Sequence, residues 1–327
     1  MRKRLNLEQY AAGIRSGNRV VLSQAITLVE STLEADQALA SALVQEVLPH
    51  TGKSIRIGIT GVPGVGKSTF IEAFGKMLLD LGNKVAVLAV DPSSQLTKGS
   101  ILGDKTRMEV LAADKRAFIR PSPSGSTLGG LSAKTREAML LCEAAGFDVI
   151  LIETVGVGQS ETAVKSMVDF FMLLMLSGAG DELQGIKKGI MEMADALVIH
   201  KADGDNLEAA QKAKSNYQNV LHLFQEPEKN WSPKVLLASS ISGMGLNQIW
   251  TLVLDYEQKL KSSGFWEATR AEQRLNWLED QVHELLGRAF LNHPQVQQLI
   301  QAEKPKVKSG ELHPGVLAHR LIDLFLN

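Results

Sequence analysis

The apolar positions of the chain fall into three successive patterns. Between residues 5 and 50 they recur at steps of three and four, which predicts helices. Beyond residue 53, short apolar runs alternate with longer amphipathic stretches, which predicts strands separated by helices. After about residue 264 the strand pattern stops and a helical stripe begins, formed by Leu275, Leu278, Val282, Leu285 and Ala289.

Seven apolar runs of strand length lie between residues 55 and 238, at 55–60, 85–90, 117–120, 149–153, 170–176, 197–200 and 235–238. Because segments of helix length separate them, we expect a mainly parallel sheet with helices on both faces. The predicted fold is therefore α/β, a doubly wound seven-stranded sheet with a helical extension at each end. The corresponding division of the chain is 1–53, 54–263 and 264–327.

Composition limits the class of protein. With 35 Lys and Arg against 36 Asp and Glu, the net charge of −1 gives no electrostatic reason to expect nucleic acid or an anionic membrane as a partner. No apolar run has the length of a membrane span and no secretory leader is recognisable, so we expect a protein of the cytoplasm or an organelle matrix. Cys142 is the only cysteine and lies in an apolar helical stretch, where a core residue is expected.

A glycine-rich segment defines the class of ligand. Residues 61–68 read G-V-P-G-V-G-K-S and fit the phosphate-binding pattern G-x-x-x-x-G-K-[ST], between a predicted strand and a predicted helix. We expect the backbone N–H groups to surround the phosphates of a nucleoside triphosphate, Lys67 to reach the β- and γ-phosphates, and Ser68 to bind magnesium. The predicted contacts in this loop are Gly61, Val62, Pro63, Gly64, Val65, Gly66, Lys67, Ser68 and Thr69.

Acidic residues at predicted strand ends are candidates for a magnesium site, because Mg²⁺ prefers carboxylate oxygens. Glu153 ends the fourth strand and begins E-T-V-G, where nucleotide switches usually have D-x-x-G, and Gly156 would offer its N–H to the γ-phosphate. Asp91 ends the second strand and Asp104 follows shortly afterwards; helix capping is the alternative role for both. The predicted metal ligands are Ser68, Asp91, Asp104 and Glu153, and the predicted catalytic residues are Lys67, Asp91 and Glu153.

The base-reading loop is predicted at His200-Lys201-Ala202-Asp203, directly after the sixth strand. Guanine-specific switches normally have N-K-x-D, whose aspartate accepts two hydrogen bonds that adenine cannot donate. His200 departs from that pattern, because an imidazole has a different reach from an amide. Guanine preference is predicted, and the effect of His200 on affinity is open. After the last strand, Ser239, Ser240 and Ile241 would face guanine O6.

Together these motifs resemble the MeaB/ArgK family of GTPases, which is associated with adenosylcobalamin-dependent methylmalonyl-CoA mutase. The resemblance runs from about residue 5 to the C terminus and is densest between 54 and 206. It is carried by G-V-P-G-V-G-K-S-T-F at 61–70, A-V-D-P-S-S at 89–94, G-S-I-L-G-D-K-T-R-M at 99–108, R-P-S-P-S-G-S-T-L-G-G at 120–130, E-T-V-G-V-G-Q-S-E at 153–161, S-G-A-G-D-E-L-Q-G-I-K-K-G at 177–189 and K-A-D-G-D-N at 201–206.

The resemblance implies a homodimeric GTPase that dimerises through its C-terminal helices and uses GTP, GDP and Mg²⁺. In the family, hydrolysis gates delivery of adenosylcobalamin to the mutase and protects or rescues the mutase from inactivation. Glutamate in place of the switch aspartate is a property of the metallochaperone-like GTPases, which accounts for Glu153. A nucleotide-sensing loop that contacts the partner is implied at 178–189, although the residues alone indicate only a solvated loop; its charged members are Asp181, Glu182, Lys187 and Lys188.

Three other functions are weighed against this one. A nickel-inserting GTPase would be expected to have a histidine-rich tract or a cysteine–histidine site, whereas the seven histidines here are scattered. An ATP-dependent kinase linked to amino-acid transport would use adenine, against which Asp203 argues. A non-catalytic scaffold would follow if His200 prevented nucleotide binding. No residue stands out as a general base, so a low intrinsic rate of GTP hydrolysis is expected.

Overall fold

The computed structural model describes residues 4–90, 108–121, 128–154, 160–178, 188–221 and 231–326. The chain forms two compact units, Met1–Gln273 and Arg274–Asn327. The division at 53/54 and 263/264 stays a prediction. In the described residues no helix combines the length and apolar content needed to cross a bilayer.

The described part of the first unit contains a seven-stranded sheet, in the order β3-β2-β4-β1-β5-β6-β7. All neighbouring strands in it are parallel, so the predicted doubly wound sheet is confirmed. The strand order reverses at β1, and ligands of such sheets bind beyond the carboxyl ends of the strands at this point. The strands are β1 (Ile55–Gly61), β2 (Val85–Val90), β3 (Ala117–Arg120), β4 (Val149–Thr154), β5 (Phe170–Leu176), β6 (Ala196–His200) and β7 (Lys234–Leu237).

Helices cover both faces of this sheet and make up the described part of the second unit. Those of the N-terminal segment are α1 (Leu7–Arg15), α2 (Arg19–Val29) and α3 (Glu34–Val47). Between the strands lie α4 (Lys67–Asp80), α5 (Glu109–Ala113), α6 (Leu128–Ala144), α7 (Ser160–Lys165), α8 (Lys188–Glu192) and α9 (Leu207–Leu221). After the last strand come α10 (Leu246–Ser263), α11 (Phe265–Asn292), α12 (Pro294–Ser309) and α13 (Pro314–Leu326), and single 3₁₀ turns occur at Leu48–His50 and Gly204–Asn206.

The two faces of the sheet have separate apolar cores. Along β4, Val149 and Leu151 belong to one core while Ile150 and Ile152 belong to the other, as the two-residue period of a strand requires. The first core includes residues of α4, α9 and α10, and the second includes residues of α1–α3 and α6. Cys142 lies buried in the second core, where burial raises the pKa of its thiol, in agreement with the predicted core role.

The predicted C-terminal stripe lies on α11 and is exposed to solvent in the single chain. Leu275 and Leu278 are 63% and 60% exposed, and Val282, Leu285 and Ala289 are also exposed. The second unit has a small core of its own around Val296, Leu317 and Leu321. An apolar row of this length on one helix face is unusual for a surface that meets only water.

Candidate nucleotide site

Residues 61–68 connect the carboxyl end of β1 to the start of α4, at the edge of the sheet where its strands end. Gly64 and Gly66 have φ angles of 77° and 91°, in the left-handed region that favours glycine. A Cβ at Gly61 would lie 2.5 Å from the backbone oxygen of Leu174, so no side chain fits there. Val65 anchors the loop by inserting into the core. The backbone geometry of this loop therefore explains why the phosphate-binding motif has glycine at these positions.

Lys67, the first residue of α4, turns back over the loop that precedes it. Its Nζ donates a hydrogen bond to the backbone oxygen of Gly61 at 2.9 Å. Burial lowers the pKa of this ammonium group, while the carboxylates of Glu153 and Glu161 act in the opposite direction. The side chain is thus a partly desolvated cation bonded to a neutral carbonyl, and a phosphate would be a stronger acceptor.

Ser68 and Glu153 come together from α4 and from the end of β4. Ser68 Oγ donates to Glu153 Oε1 at 3.1 Å, and Glu153 is only 5% exposed. One residue further, Thr154 Oγ1 donates to Thr60 Oγ1 at 2.8 Å, which ties the ends of β4 and β1 together. A hydroxyl and a carboxylate side by side supply the hard oxygen atoms that Mg²⁺ prefers, so the residues present fit a magnesium ion.

Asp203 is held by the loop that follows β7. The hydroxyl of Ser239 donates to the Asp203 carboxylate and accepts from the N–H groups of Ile241 and Ser242 at 3.2 Å each. Ser239 is fully buried, whereas Ile241 is 89% exposed. The structure therefore brings these two segments together, and Ser239 acts on Asp203 through its side chain, whereas its predicted contact with guanine stays a prediction.

Lys201 links the base-reading loop to the phosphate-binding loop. Its φ angle is 58°, which is uncommon for a residue with a side chain, and its Nζ donates to the backbone oxygen of Gly64 at 2.9 Å. Asn206 Nδ2 supports the strained position by donating to the backbone oxygen of Lys201 at 2.6 Å. Left-handed strain of this kind persists where neighbouring contacts hold the backbone, and it is common at ligand sites.

His200 is 2% exposed and makes hydrogen bonds with both ring nitrogens. Nδ1 lies 2.7 Å from the backbone oxygen of Val65, and Nε2 lies 2.6 Å from Ser240 Oγ. Burial lowers the pKa of the ring; the hydrogen bond to Val65 and the charge of Asp203 oppose this, and the Lys201 ammonium adds to it. The uncommon residue of the base-reading loop is thus well integrated into the site.

Several predicted site residues lie outside the described residues. These are Asp91, Asp104, Gly156, Asp181, Glu182 and Lys187; for Lys188 the backbone begins α8, but its side chain is not described. The roles predicted for them stay predictions. Among the predicted residues that are described, the structure brings together Lys67, Ser68 and Glu153 on one side and His200, Lys201, Asp203, Ser239 and Ser240 on the other.

Several residues that take part in this arrangement have no role predicted from the sequence. Glu161 is buried, and its charge acts on Lys67 from the helix that follows Glu153. Thr60 and Thr154 form a buried hydroxyl pair, and Asn206 supports Lys201. Glu161 and Asn206 are the last residues of two of the sequence strings that carry the family resemblance, E-T-V-G-V-G-Q-S-E and K-A-D-G-D-N. Their place in these strings is the sequence feature from which a role could have been predicted.

Comparison with known proteins places the chain among nucleotide-dependent proteins. Residues 22–295 match the family of the methylmalonyl-CoA mutase-associated GTPase MeaB. The chain is 51% identical to GTPase ArgK of Escherichia coli K12, over 85% of each chain. It is 45% identical to the mitochondrial methylmalonic aciduria type A homolog of Mus musculus, over 98% of this chain and 79% of the mouse protein.

A solved structure has the same fold. The crystal structure of an LAO/AO transport system kinase superposes with a TM-score of 0.77 and 39% sequence identity, covering 99% of this chain and all of the other. The similarity therefore includes the helical segments at both ends of the chain as well as the sheet.

Proposed function

This chain belongs to the MeaB family of GTPases, and we propose that it is the GTP-hydrolysing chaperone of methylmalonyl-CoA mutase or of a related acyl-CoA mutase. The chain is a GTPase and binds guanine nucleotide. In the proposal, hydrolysis gates the delivery of adenosylcobalamin to the mutase and protects or reactivates the mutase. The names of the matched family and of its mouse relative support this partner.

Three loops lie together at the carboxyl edge of the sheet, and this observation supports nucleotide binding in the proposal. The phosphate-binding loop is bonded to the base-reading loop through Lys201 and His200. The loop after β7 holds Asp203 through Ser239. A carboxylate fixed in this way is suited to accept the N1–H and the 2-amino group of guanine, and adenine lacks that pair of donors.

In the proposed mechanism the phosphates of GTP replace a carbonyl as the partner of Lys67. The ammonium leaves the Gly61 oxygen and pairs with the β- and γ-phosphates, with which it forms stronger, charge-assisted bonds. Ser68 and Glu153 would hold magnesium, with Asp91 and Asp104 as further predicted ligands. When bound, the metal ion neutralises phosphate charge. Because the chain contributes positioning and charge, and no general base is evident in the part of it that the structure describes, we expect slow turnover until a partner completes the site.

The exposed stripe on α11 supports a homodimer. Leu275, Leu278 and Leu285 are each more than half exposed on one face of a long helix, and a second copy of the same face would bury them. We predict that Leu278→Glu combined with Leu285→Glu converts a dimer to a monomer in light scattering, whereas His283→Glu, at an exposed position turned away from the stripe, leaves the mass unchanged. A monomeric wild-type chain at micromolar concentration would contradict the dimer.

One of the two alternative functions has a specific observation in its favour. The similar solved structure is described as a transport system kinase, so an ATP-dependent kinase acting in amino-acid transport is the second candidate. A nickel-inserting GTPase is the third. In the part of the chain that the structure describes, no three His, Cys, Asp or Glu side chains are grouped as metal ligands, so the third candidate receives no support from the described geometry.

The deciding experiment is steady-state hydrolysis of GTP by the purified protein, with and without the methylmalonyl-CoA mutase of the same organism, and with ATP as control. The proposal expects slow GTP turnover that rises when the mutase is added, and no comparable ATP turnover. GTP turnover that this mutase does not change would keep the GTPase and exclude methylmalonyl-CoA mutase as the partner that stimulates it, so that a related acyl-CoA mutase would be tested next. Preferential use of ATP with transfer to an acceptor would favour the kinase.

A further inference from the structure

His200 connects three segments of the proposed GTP site. It ends β6, its Nδ1 reaches the phosphate-binding loop at the Val65 oxygen, and its Nε2 reaches Ser240 in the loop after β7. We propose that His200 is a positioning residue that fixes the base-reading loop to both other loops and thereby sets the affinity for guanine nucleotides, in place of the usual asparagine. The inference rests on the proposed GTP site.

The acceptor at Nδ1 determines the tautomer of the ring. A backbone carbonyl can only accept, so the hydrogen must reside on Nδ1. Because the ring is neutral, Nε2 is an acceptor and the Ser240 hydroxyl donates to it. The hydroxyl of Ser240 is thereby aimed at His200, and the loop after β7 has one defined position relative to β6. An asparagine could make the bond to Val65 through its amide N–H.

The bond at Nδ1 also acts on the phosphate-binding loop itself. In a planar trans peptide the carbonyl of Val65 and the N–H of Gly66 point in opposite directions. While His200 holds that carbonyl, the N–H of Gly66 points away from the base-reading loop, to the side where the motif predicts the phosphates. His200 thus orients one N–H group that is predicted to donate a hydrogen bond to a phosphate, although His200 itself lies at the base end of the site.

Packing holds the ring in this position from two further sides. The ring meets Phe70 edge to face, with centroids 5.7 Å apart and planes at 86°. A Cβ at Gly66 would lie 3.2 Å from His200 Cε1, so the ring rests against the backbone of the phosphate-binding loop. Lys201 adds a parallel tie from the next residue, to the oxygen of Gly64. Two consecutive residues of one loop thus bind two consecutive carbonyls of the other.

The test measures nucleotide affinity and kinetics of three single variants, one double variant and a control. For His200→Ala we expect the dissociation constants of GTP and GDP to rise about tenfold or more, because two hydrogen bonds are lost. The expected KM for GTP rises in parallel, while kcat at saturating GTP changes by less than about threefold, since the tie acts on binding. His50→Ala removes an exposed histidine far along the chain and should leave every value unchanged.

The other two variants separate positioning from a general loss of structure. His200→Asn should restore GTP affinity to within about threefold of the wild type, because the amide can donate to Val65. Ser240→Ala should weaken GTP binding in the wild type by about threefold and have no further effect in the His200→Ala background, since the two groups share one bond. Thermal melting without nucleotide identifies a variant that does not fold, and His200→Asn keeps the test informative in that case.

The outcomes are distinguishable from failure of the proposed function. A wild-type chain that binds no GTP would overturn the GTP site and this inference with it. A wild type that binds GTP, with His200→Ala folded and equally tight, would overturn the inference alone. A fall in kcat with unchanged KM would also overturn it, because His200 would then act on the chemical step.

Discussion

The two edges of the central sheet both carry buried charged side chains, but the charges are balanced in different ways. At the amino edge, Arg270 pairs with Asp169 and Arg56 pairs with Glu143, so each cation faces an anion. At the carboxyl edge, Lys67 is bonded to a carbonyl. Charges that neutralise each other within the chain leave little attraction for a ligand, and removing one of them is costly, whereas a cation bonded to a neutral dipole retains attraction for an anionic ligand.

At the amino edge, ion pairs and hydrogen bonds fix the first turns of α11 to the sheet. Arg270 donates to both carboxylate oxygens of Asp169 at 2.7–2.8 Å and to the backbone oxygens of Gly52 and Ser54 at 2.6 and 2.7 Å. Its guanidinium also lies over the ring of Trp266, 4.7 Å from the centroid. The first turns of α11 up to residue 273 therefore belong to the sheet unit, which agrees with the observed division of the chain.

The largest expected effect is on activity, at the carboxyl edge. Lys67→Ala should lower GTP turnover by about 10³-fold or more, because the cation that would balance phosphate charge is lost. The free energy of unfolding should fall by less than the loss of a hydrogen-bonded ion pair costs, because Lys67 is bonded to a carbonyl and acts on Glu153 and Glu161 through its charge. Lys76→Ala, on the exposed side of the same helix, is the matched control. Turnover close to the wild type in Lys67→Ala would refute the assignment of the phosphate-binding loop.

The second effect is on stability, at the amino edge. Arg270→Ala should lower the free energy of unfolding by about 3–5 kcal/mol, because Asp169 would be left as a buried, unpaired charge. Urea or thermal unfolding measures the loss. Arg288→Ala breaks an exposed ion pair on the same helix and should cost less than about 0.5 kcal/mol. If Arg270→Ala were as stable as its control, the contrast between the two edges would be wrong.

A third prediction tests the base end of the carboxyl edge. Asp203→Asn should weaken GTP binding by about 10²-fold and shift the preference toward xanthosine triphosphate, because an amide can donate where the carboxylate only accepts. Competition between the two nucleotides for the purified variant measures the shift. Asp205→Asn, an exposed aspartate two residues away, serves as control. Unchanged selectivity in Asp203→Asn would remove this residue from base reading.

The sequence predicts the two edges unequally well. Buried parallel strands are continuous apolar runs, so the predicted strand ends agree with the structure to within one residue, as for Ala196–His200 against the predicted 197–200. The phosphate-binding and base-reading loops have fixed local spacing. By contrast, Arg270 and Asp169 are 101 residues apart and Arg56 and Glu143 are 87 apart. Such pairs depend on how the chain folds back, and no local pattern indicates which charges meet.

The smallest expected effect is the pH dependence that His200 brings to the carboxyl edge. Because burial lowers its pKa in the folded chain below the ordinary value of about 6.5, the unfolded chain binds the proton more readily. The stability that the neutral ring contributes is therefore complete above about pH 6.5 and decreases as the pH falls toward the folded-state pKa. The difference in free energy of unfolding between the wild type and His200→Asn, followed from pH 8 to pH 5 without nucleotide, measures this dependence.

As the pH falls, the wild type should lose stability relative to His200→Asn, because asparagine does not titrate. If the difference stayed constant instead, the ring would have the same pKa in the folded and the unfolded chain. The pH profile thus isolates the contribution of His200, the buried ring that joins the three loops of the carboxyl edge.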